Sequence, residues 1–267
     1  MIELLSYEFM QRAIVAGVFV AILCALVGMF VVLRGISFMG AGIAHSAFGG
    51  VALGIFLGVN PIMVAFLFSI CIALLIGVVS RGGRISEDSA IGIAFPISMA
   101  FGVVLIGLTK GYTMNLFGYL FGNILTVTSS DLSYIILLGA FVLACVVVFY
   151  RQLIYICFDE ESAKASGIKT ERLHYLLLIL ISITVVGAMK VVGIVLVSAL
   201  LIIPAAASLQ LFRNLTLCIL TSLLIGVGAV ICGIMTSYYL NIATGGTIVL
   251  VCGLVFTILF VYNKVRA

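Results

Sequence analysis

The chain has 267 residues, of which 65% are hydrophobic and 8% are charged, and its mean hydropathy is +1.44. Soluble domains are closer to half apolar and a quarter charged. The composition therefore excludes a water-soluble enzyme, a disordered chain and, despite a net charge of +4, a nucleic-acid-binding domain. At about 20 residues for each membrane-spanning helix, nine helices use about 180 residues and leave no room for a soluble catalytic domain. We predict a single all-α, polytopic transmembrane domain over residues 1–267.

Charged residues are so few that they mark the ends of the predicted helices. The uncharged stretches predict a first span over 13–33, two spans within 35–80 that separate at Asn60-Pro61, and a fourth over 89–109. Further along they predict a fifth span over 132–150, a sixth over 173–189, a seventh over 191–212, and two more within 214–263 that separate near 241–246.

The segment 111–130 between the fourth and fifth spans is uncharged but rich in Asn, Thr and Ser. Irregular or polar backbone at membrane depth is tolerated only where protein surrounds it. We predict a short helix that lies at one face of the membrane or dips into it. A tenth span is the alternative.

The distribution of Lys and Arg predicts the orientation in the membrane. With the N-terminus outside, ten of the thirteen basic residues fall on inside loops or at the inner C-terminus. We therefore expect the N-terminus outside and the C-terminus inside. No signal peptide is expected, because the acidic start at Glu3 and Glu8 lacks a basic n-region and a cleavage site.

The inside loop from Arg151 to Arg172 holds the chain's one run of acids. Asp159 can cap a short helix, and Glu160 and Glu161 complement the dipole of its first turn. Gly167 is a natural stop for such a helix. A solvated loop helix without a special role is the alternative reading of these residues.

Two histidines and one lysine are the candidate functional groups within or beside the spans. His45 lies inside the second span among small residues, either hydrogen-bonded to Ser46 or a neighbouring helix, or facing a substrate path. His174 is expected at the membrane interface, and Lys190 is expected to reach the outer surface between two spans. The chain has no GxxxxGK[ST], HExxH or GxSxG motif, so it has no phosphate-binding loop for ATP.

Four stretches, in order, resemble the membrane permease subunits of ABC-type importers for zinc, manganese and related divalent metals. The most specific are Tyr119-Leu-Phe-Gly-Asn-Ile-Leu125, similar to the family's Y-L-F-G-[ND]-x-L, and 192–207, similar to its G-x-x-L-[IV]-x-[SA]-L-L-I-I-P-A-A. The stretches 33–54, with Ala44-His-Ser46, and 85–93 are weaker. Together they extend the likeness over essentially the whole chain.

The resemblance implies a fold similar to the vitamin B12 and siderophore importer permeases, in the cytoplasmic membrane of a prokaryote. It also implies a permease homodimer in the lipid bilayer, a dimer of separate subunits that bind and hydrolyse ATP, and an extracytoplasmic metal-binding protein. The chain itself is then not an enzyme. The short helix becomes the coupling helix that docks on the ATPase subunits, with the contact residues Phe158, Asp159, Glu160, Glu161, Ala163 and Gly167.

The run Ala188–Gly193 resembles the zinc branch of the family, so Zn²⁺ is the favoured cargo, with manganese or iron as alternatives.

Two positions depart from the family pattern. Ala41 stands where the family has an acid, four residues before the histidine and on the same helix face. His45 is therefore a candidate metal ligand without that acid. Thr244 stands where the family has a proline.

A hydrated divalent ion is costly to move through hydrocarbon, so we expect a path lined by small and polar groups. The candidates come from the second, fourth and seventh spans: His45, Ser46, Ser98, Ser198 and Pro204. A secondary transporter or channel that needs no ATPase is the alternative function. It favours buried acids and inverted repeats, and the sequence has no acid in the middle of a span.

Overall fold

The structure is a computed structural model that describes residues 7–83, 85–109, 122 and 124–266, with only the backbone of Leu125 and Arg266. Within these residues the chain forms ten α-helices and no strand. They are α1 Glu8–Leu33, α2 Phe38–Phe56, α3 Pro61–Arg81, α4 Glu87–Leu108, α5 Ser129–Phe158, α6 Glu160–Ala165, α7 Thr170–Val192, α8 Ile194–Leu211, α9 Leu215–Leu240 and α10 Thr244–Arg266. All except α6 are long and apolar enough to cross a membrane. The predicted all-helical, polytopic fold with nine spans is confirmed for the described residues.

Local sequence rules set several helix ends where we predicted them. Pro61 begins α3, and the Asn60 side chain caps that helix by accepting hydrogen bonds from the Ile62 and Met63 amides. The last two spans separate at Asn241, which adopts a left-handed conformation with φ of 52°. These breaks confirm the predicted separations at Asn60-Pro61 and near 241–246.

Several helix ends differ from the prediction, because a single charge near a helix terminus does not end the helix. α1 already begins at Glu8, before Arg12, where we expected the span to begin at residue 13. α5 continues past Arg151 to Phe158, so its last eight residues are helix where we expected loop. Lys190 lies in the last turn of α7, and the chain breaks three residues later at Gly193. Long basic side chains can extend from such positions to water while the backbone stays helical.

The predicted surface helix within 111–130 lies mostly outside the described residues. After this segment, Ile124–Thr126 form one turn of 3-10 helix, and α5 begins at Ser129. Thr128 and Asp131 form a capping box at that start, each side chain accepting from the other's backbone amide.

The spans form a bundle with α1, α2 and α7 at its centre. α1 packs against α8, α9 and α5, α2 packs against α3 and α4, and α7 joins the two groups by packing on α3 and α5. α3, α4, α5 and α10 leave much of their apolar surface uncovered, as expected of helices that face lipid. We call the end of the bundle with Arg34, Arg81 and Glu160 the α6 end, and the end with Asn60, Asp131 and Lys190 the Lys190 end.

Close approach of α1 to α8 depends on one glycine. A Cβ atom added to Gly28 would lie 1.7 Å from the carbonyl oxygen of Leu201, far inside van der Waals contact. Small residues allow such backbone contact between membrane helices. This contact joins the first and seventh spans in the interior of the bundle.

Candidate functional site

The first candidate site lies where α2 packs against α4. Gly42 and Gly49 of α2 contact Ile91 and Ser98 of α4, and an added Cβ on Gly49 would lie 2.5 Å from the Ser98 carbonyl oxygen. Positions 45 and 46 fall between these glycines on the same helix face. His45 is therefore held at a tight helix–helix contact near the middle of α2.

The imidazole of His45 is half-buried and lies against an aromatic ring. The centroids of the His45 and Phe95 rings are 4.9 Å apart, and the Nδ1 atom is buried without a hydrogen-bond partner among the described residues. The alternative of a hydrogen bond to Ser46 is not realised, because the Ser46 hydroxyl is also buried and unpartnered among the described residues. Polar atoms left in this condition are costly unless something else binds them.

The remaining predicted path residues are distributed over two helices. The Ser98 hydroxyl is buried and donates to the Ala94 carbonyl at 2.7 Å. Ser198 donates to carbonyls of its own helix, α8, and Pro204 is buried further along that helix. The structure thus brings His45, Ser46 and Ser98 to one helix contact. Ser198 and Pro204 lie on α8, which meets α2 where Leu201 contacts Gly40.

A multidentate metal site is not formed by the described residues. No group of three or more His, Cys, Asp and Glu side chains comes together in them. Ala41 occupies the position one turn before His45, and it has no donor atom in its side chain. Any metal contact at His45 would therefore rest on one imidazole, nearby hydroxyls and water.

The second candidate site is α6. The Asp159 carboxylate accepts from the Ser162 amide at 2.9 Å and so caps α6, as predicted. After the helix, Gly167 has φ of 82°, and the Ile168 amide returns to the Ala163 carbonyl at 3.1 Å. This six-residue closure is a Schellman motif, which favours glycine at that position.

Glu160 fixes α6 to the rest of the bundle. Its two carboxylate oxygens accept one bond each, from Arg34 Nη2 and from Arg81 Nη2, both at 2.6 Å. Arg34 also donates to the Ile156 carbonyl at 3.0 Å, near the end of α5. One carboxylate thus joins α6 to the α1–α2 connection and to the end of α3.

The charges around α6 act on two carboxyl groups. Partial burial would raise the pKa of Glu160, but the hydrogen bonds and charges of Arg34 and Arg81 outweigh it and hold that pKa below its ordinary value. The hydroxyl and the amide of Ser162 lower the pKa of Asp159. Both groups are therefore ionised at neutral pH.

α6 has two distinct faces. Glu160 and the buried Ala163 face the bundle, whereas Glu161 is exposed and Phe158 keeps 66% of its surface exposed just before the helix. Of the predicted coupling residues, the structure therefore turns Glu160 and Ala163 inward. Solvent and partner proteins can still reach Phe158, Glu161 and the turn at Gly167.

One histidine at the α6 end is buried. His174, near the start of α7, is wholly buried, and its Nε2 lies 3.6 Å from Glu87 Oε1 of α4. Neither imidazole nitrogen has a hydrogen-bond partner among the described residues, and neither does Glu87 Oε2. The charge pattern along the chain does not reveal this burial.

At the opposite end, Lys190 finds a partner that the sequence did not indicate. Its ammonium group pairs with Asp131 of α5 and lies 6.0 Å from the centroid of the Tyr134 ring. Its side chain is 36% exposed, and Asn60, Asp131, Tyr134 and Lys190 line a cleft of about 460 Å³. The one sign of this pairing in the sequence was Asp131, an acid at the start of the predicted fifth span.

Comparison with known proteins identifies the family of this chain. The model of the ABC 3 transport family matches residues 6–263. The manganese transport system membrane protein MntC of Halalkalibacterium halodurans is 39% identical over 98% of this chain and 89% of its own length. The chelated iron transport system membrane protein YfeD of Yersinia pestis is 33% identical over 99% of this chain and 89% of its own length.

Among solved structures, PsaBC from Streptococcus pneumoniae in complex with Fab aligns with a TM-score of 0.86 and 36% identity, over 100% of this chain and 98% of that chain. The family match extends across nearly the entire chain and includes α1 to α9 and all but the last three residues of α10. The chain belongs to the ABC 3 transport family and is a membrane permease subunit of a metal importer.

Proposed function

We propose that this chain forms the translocation path of an importer of first-row divalent metal ions, with manganese as the first candidate cargo. It works with a dimer of separate ATP-binding subunits, an extracytoplasmic metal-binding protein and a second permease copy, in the cytoplasmic membrane of a bacterium. The observation that carries the proposal is α6. It is a short capped helix, fixed to a membrane-spanning bundle by Glu160, with Phe158 and Glu161 left accessible.

The choice of manganese rests on a relative and on ligand chemistry. The relative with 39% identity is named as a manganese transport protein, and another relative is named for chelated iron. Zinc sites usually gather several His or Cys ligands, whereas manganese accepts oxygen ligands and water. One imidazole beside two serine hydroxyls suits a weakly held, partly hydrated ion. The zinc preference of the run 188–193 stays a prediction.

In this proposal the ion passes His45, Ser46 and Ser98 between α2 and α4, and then Ser198 and Pro204 of α8. His45 makes a transient metal contact, while high affinity resides on the binding protein. ATP binding by the partner subunits moves α6 and shifts the permease between inward-facing and outward-facing states. Such a shift requires that the partner binds the two states differently.

The test is metal-stimulated ATP hydrolysis and uptake in liposomes, with the permease, ATPase subunits and binding protein reconstituted together. We expect Mn²⁺ to stimulate both most strongly, with Fe²⁺ and Zn²⁺ as the competing ions. Strongest stimulation by Zn²⁺ overturns the manganese assignment and supports the zinc alternative. Robust uptake by this chain alone, driven by an ion gradient without ATPase subunits, overturns the importer proposal.

The coupling role of α6 has its own variants. Gly167→Pro forces a φ near −65° on a residue that has φ of 82°, and Glu161→Lys reverses the exposed charge. We expect both variants to insert in the membrane and to lose uptake. Normal uptake in both contradicts the coupling role of α6.

The orientation follows the basic residues, so Arg34, Arg81 and α6 lie on the inside. The test is a reporter protein that works only in the cytoplasm, fused after residue 267. We expect this reporter to be active. An inactive reporter reverses the orientation, and α6 then lies on the wrong side for an ATPase.

A further inference from the structure

At the α6 end, two carboxylates lie beside two guanidinium groups, but only one of them is paired. Arg34, Glu87 and Glu160 line one cleft of about 410 Å³. Glu160 holds both Arg34 and Arg81, which we call the arginine pair. Glu87 faces the wholly buried His174 at 3.6 Å, too far for a hydrogen bond.

Glu87 is poorly satisfied in this conformation. Its Oε2 atom is buried without a hydrogen-bond partner among the described residues, and both nitrogens of His174 are in the same condition. A buried acceptor that lacks its hydrogen bond costs free energy, and a carboxylate costs more than a neutral group. Glu87 would gain much from a guanidinium group, and the charges of both members of the arginine pair already act on it, with Arg34 in the same cleft.

We propose that the arginine pair exchanges carboxylates during the transport cycle. It binds Glu160 while α6 is held against the bundle, and it binds Glu87 when the ATPase subunits draw α6 away. Glu160 is then a positioning residue that transmits the movement of α6, and Glu87 is the alternative partner that stabilises the second state. The inference rests on the proposed function, since it assigns the residues through which α6 acts.

The geometry connects this exchange to the metal path. Arg34 lies in the connection that leads into α2, and Glu87 is the first residue of α4. At 1.5 Å of rise per residue, Phe95 lies about 12 Å along α4 from Glu87, and His45 lies about 10 Å along α2 from Phe38. A change of partner at the α6 end therefore acts on the two helices that hold His45 between them.

Exchange also supplies the two discrete arrangements that a switch needs. A partner subunit can shift a permease between states only if the contacts differ between those states. Packed interiors respond by changing between alternative contacts more readily than by deforming continuously. The arginine pair has two carboxylates within one cleft, and each state leaves one of them unpaired.

The first experiment separates exchange from simple anchoring of α6. In the reconstituted complex with ATPase subunits and binding protein, we measure assembly, ATP hydrolysis and Mn²⁺ uptake for Glu160→Gln, Glu160→Asp and Glu87→Gln. Glu171→Gln, an exposed acid in the first turn of α7, is the matched control.

We expect Glu160→Gln and Glu87→Gln to keep the ATPase subunits bound and to hydrolyse ATP, while metal transported per ATP falls about tenfold or more. Glu160→Asp keeps the charge and retains most uptake, and the control matches the wild type. Normal uptake by Glu87→Gln overturns the exchange, because an anchor at Glu160 alone needs no carboxylate at position 87. Loss of ATPase binding in Glu160→Gln also overturns it, in favour of an anchor.

The second experiment observes the exchange directly. A structure of the complex trapped with a non-hydrolysable ATP analogue should place the guanidinium of Arg34 or Arg81 within hydrogen-bond distance of Glu87. Both arginines remaining on Glu160 in the trapped and nucleotide-free states overturn the proposal. Absence of ATP-dependent uptake by the wild-type complex overturns the proposed function itself. Failure of the exchange and failure of the proposed function are therefore distinguishable.

Discussion

At the α6 end one carboxylate serves two guanidinium groups, whereas at the Lys190 end one ammonium group meets one carboxylate. The first arrangement joins three segments that are far apart in the sequence, and the side chains of Arg34, Arg81 and Glu160 are 10%, 26% and 38% exposed. The second joins two neighbouring helix ends, and the side chains of Lys190 and Asp131 are 36% and 16% exposed. Both arrangements are partly exposed and each single ion pair contributes little to stability, so the larger number of bonds at the α6 end makes the difference. The comparison predicts unequal effects of mutation at the two ends.

The largest effect is expected for Arg34→Ala. The change removes the bonds to Glu160 and to the Ile156 carbonyl, so we expect a loss of about 2–3 kcal/mol in the free energy of unfolding. The measurement is the thermal midpoint of the purified permease in detergent. Arg213→Ala, an exposed arginine at the same end of the bundle, is the control. Equal midpoints for Arg34→Ala and Arg213→Ala would show that the bonds of Arg34 add nothing to stability.

A smaller effect is expected for Asp131→Asn at the Lys190 end. This variant loses the ion pair with Lys190 and weakens the capping box with Thr128, with an expected cost of about 1 kcal/mol. The thermal midpoint again gives the measurement. A cost as large as that of Arg34→Ala would remove the difference between the two ends.

The effect of Lys190→Met should be smaller still, about 0.5 kcal/mol, because the cap at Asp131 stays in place. We also expect this difference from the wild type to shrink in high salt, since salt screens exposed charges more than shielded ones. The difference for Arg34→Ala should change less. The measurement is the thermal midpoint at low and at high salt, with Lys264→Met as an exposed control. Equal salt dependence of Lys190→Met and Arg34→Ala contradicts the difference between the two ends.

The smallest effect concerns pH. The pKa of Glu160 is held below its ordinary value, so the ionised group stabilises the fold above its unfolded pKa of about 4. That contribution is lost as the pH falls through the folded pKa. The midpoint difference between wild type and Glu160→Gln should therefore be constant from neutral to mildly acidic pH and vanish in stronger acid. A difference that disappears near pH 7 contradicts the depressed pKa.

Much of the fold was predictable because it follows local rules. Pro61 with its cap at Asn60, the cap at Asp159 and the turn at Gly167 each depend on a few adjacent residues. The nine spans followed from the scarcity of charge. The same reasoning placed the end of α5 and the break after α7 wrongly, because it treated a single basic residue as a helix end.

The arrangement at the α6 end was not predictable from the sequence. Glu160 is separated from Arg34 by 126 positions and from Arg81 by 79, so the pairing depends on how the helices assemble. The burial of His174 has the same origin. At the other candidate site, His45 was found from the sequence, since a histidine among small residues within a span is unusual. Its contact with Phe95 and its missing partner required the structure.

The contact between Gly28 and the backbone of Leu201 has a consequence for biogenesis. The first span leaves the ribosome long before the seventh, which holds Leu201, so its final partner does not yet exist when it enters the membrane. Until then, the surface of α1 at Gly28 lacks the backbone that covers it in the finished structure. A bulky residue at position 28 would leave the finished chain unable to close, which marks it for the membrane's quality-control proteases. The cellular half-life of such a chain, more than its transport rate, would reveal the defect.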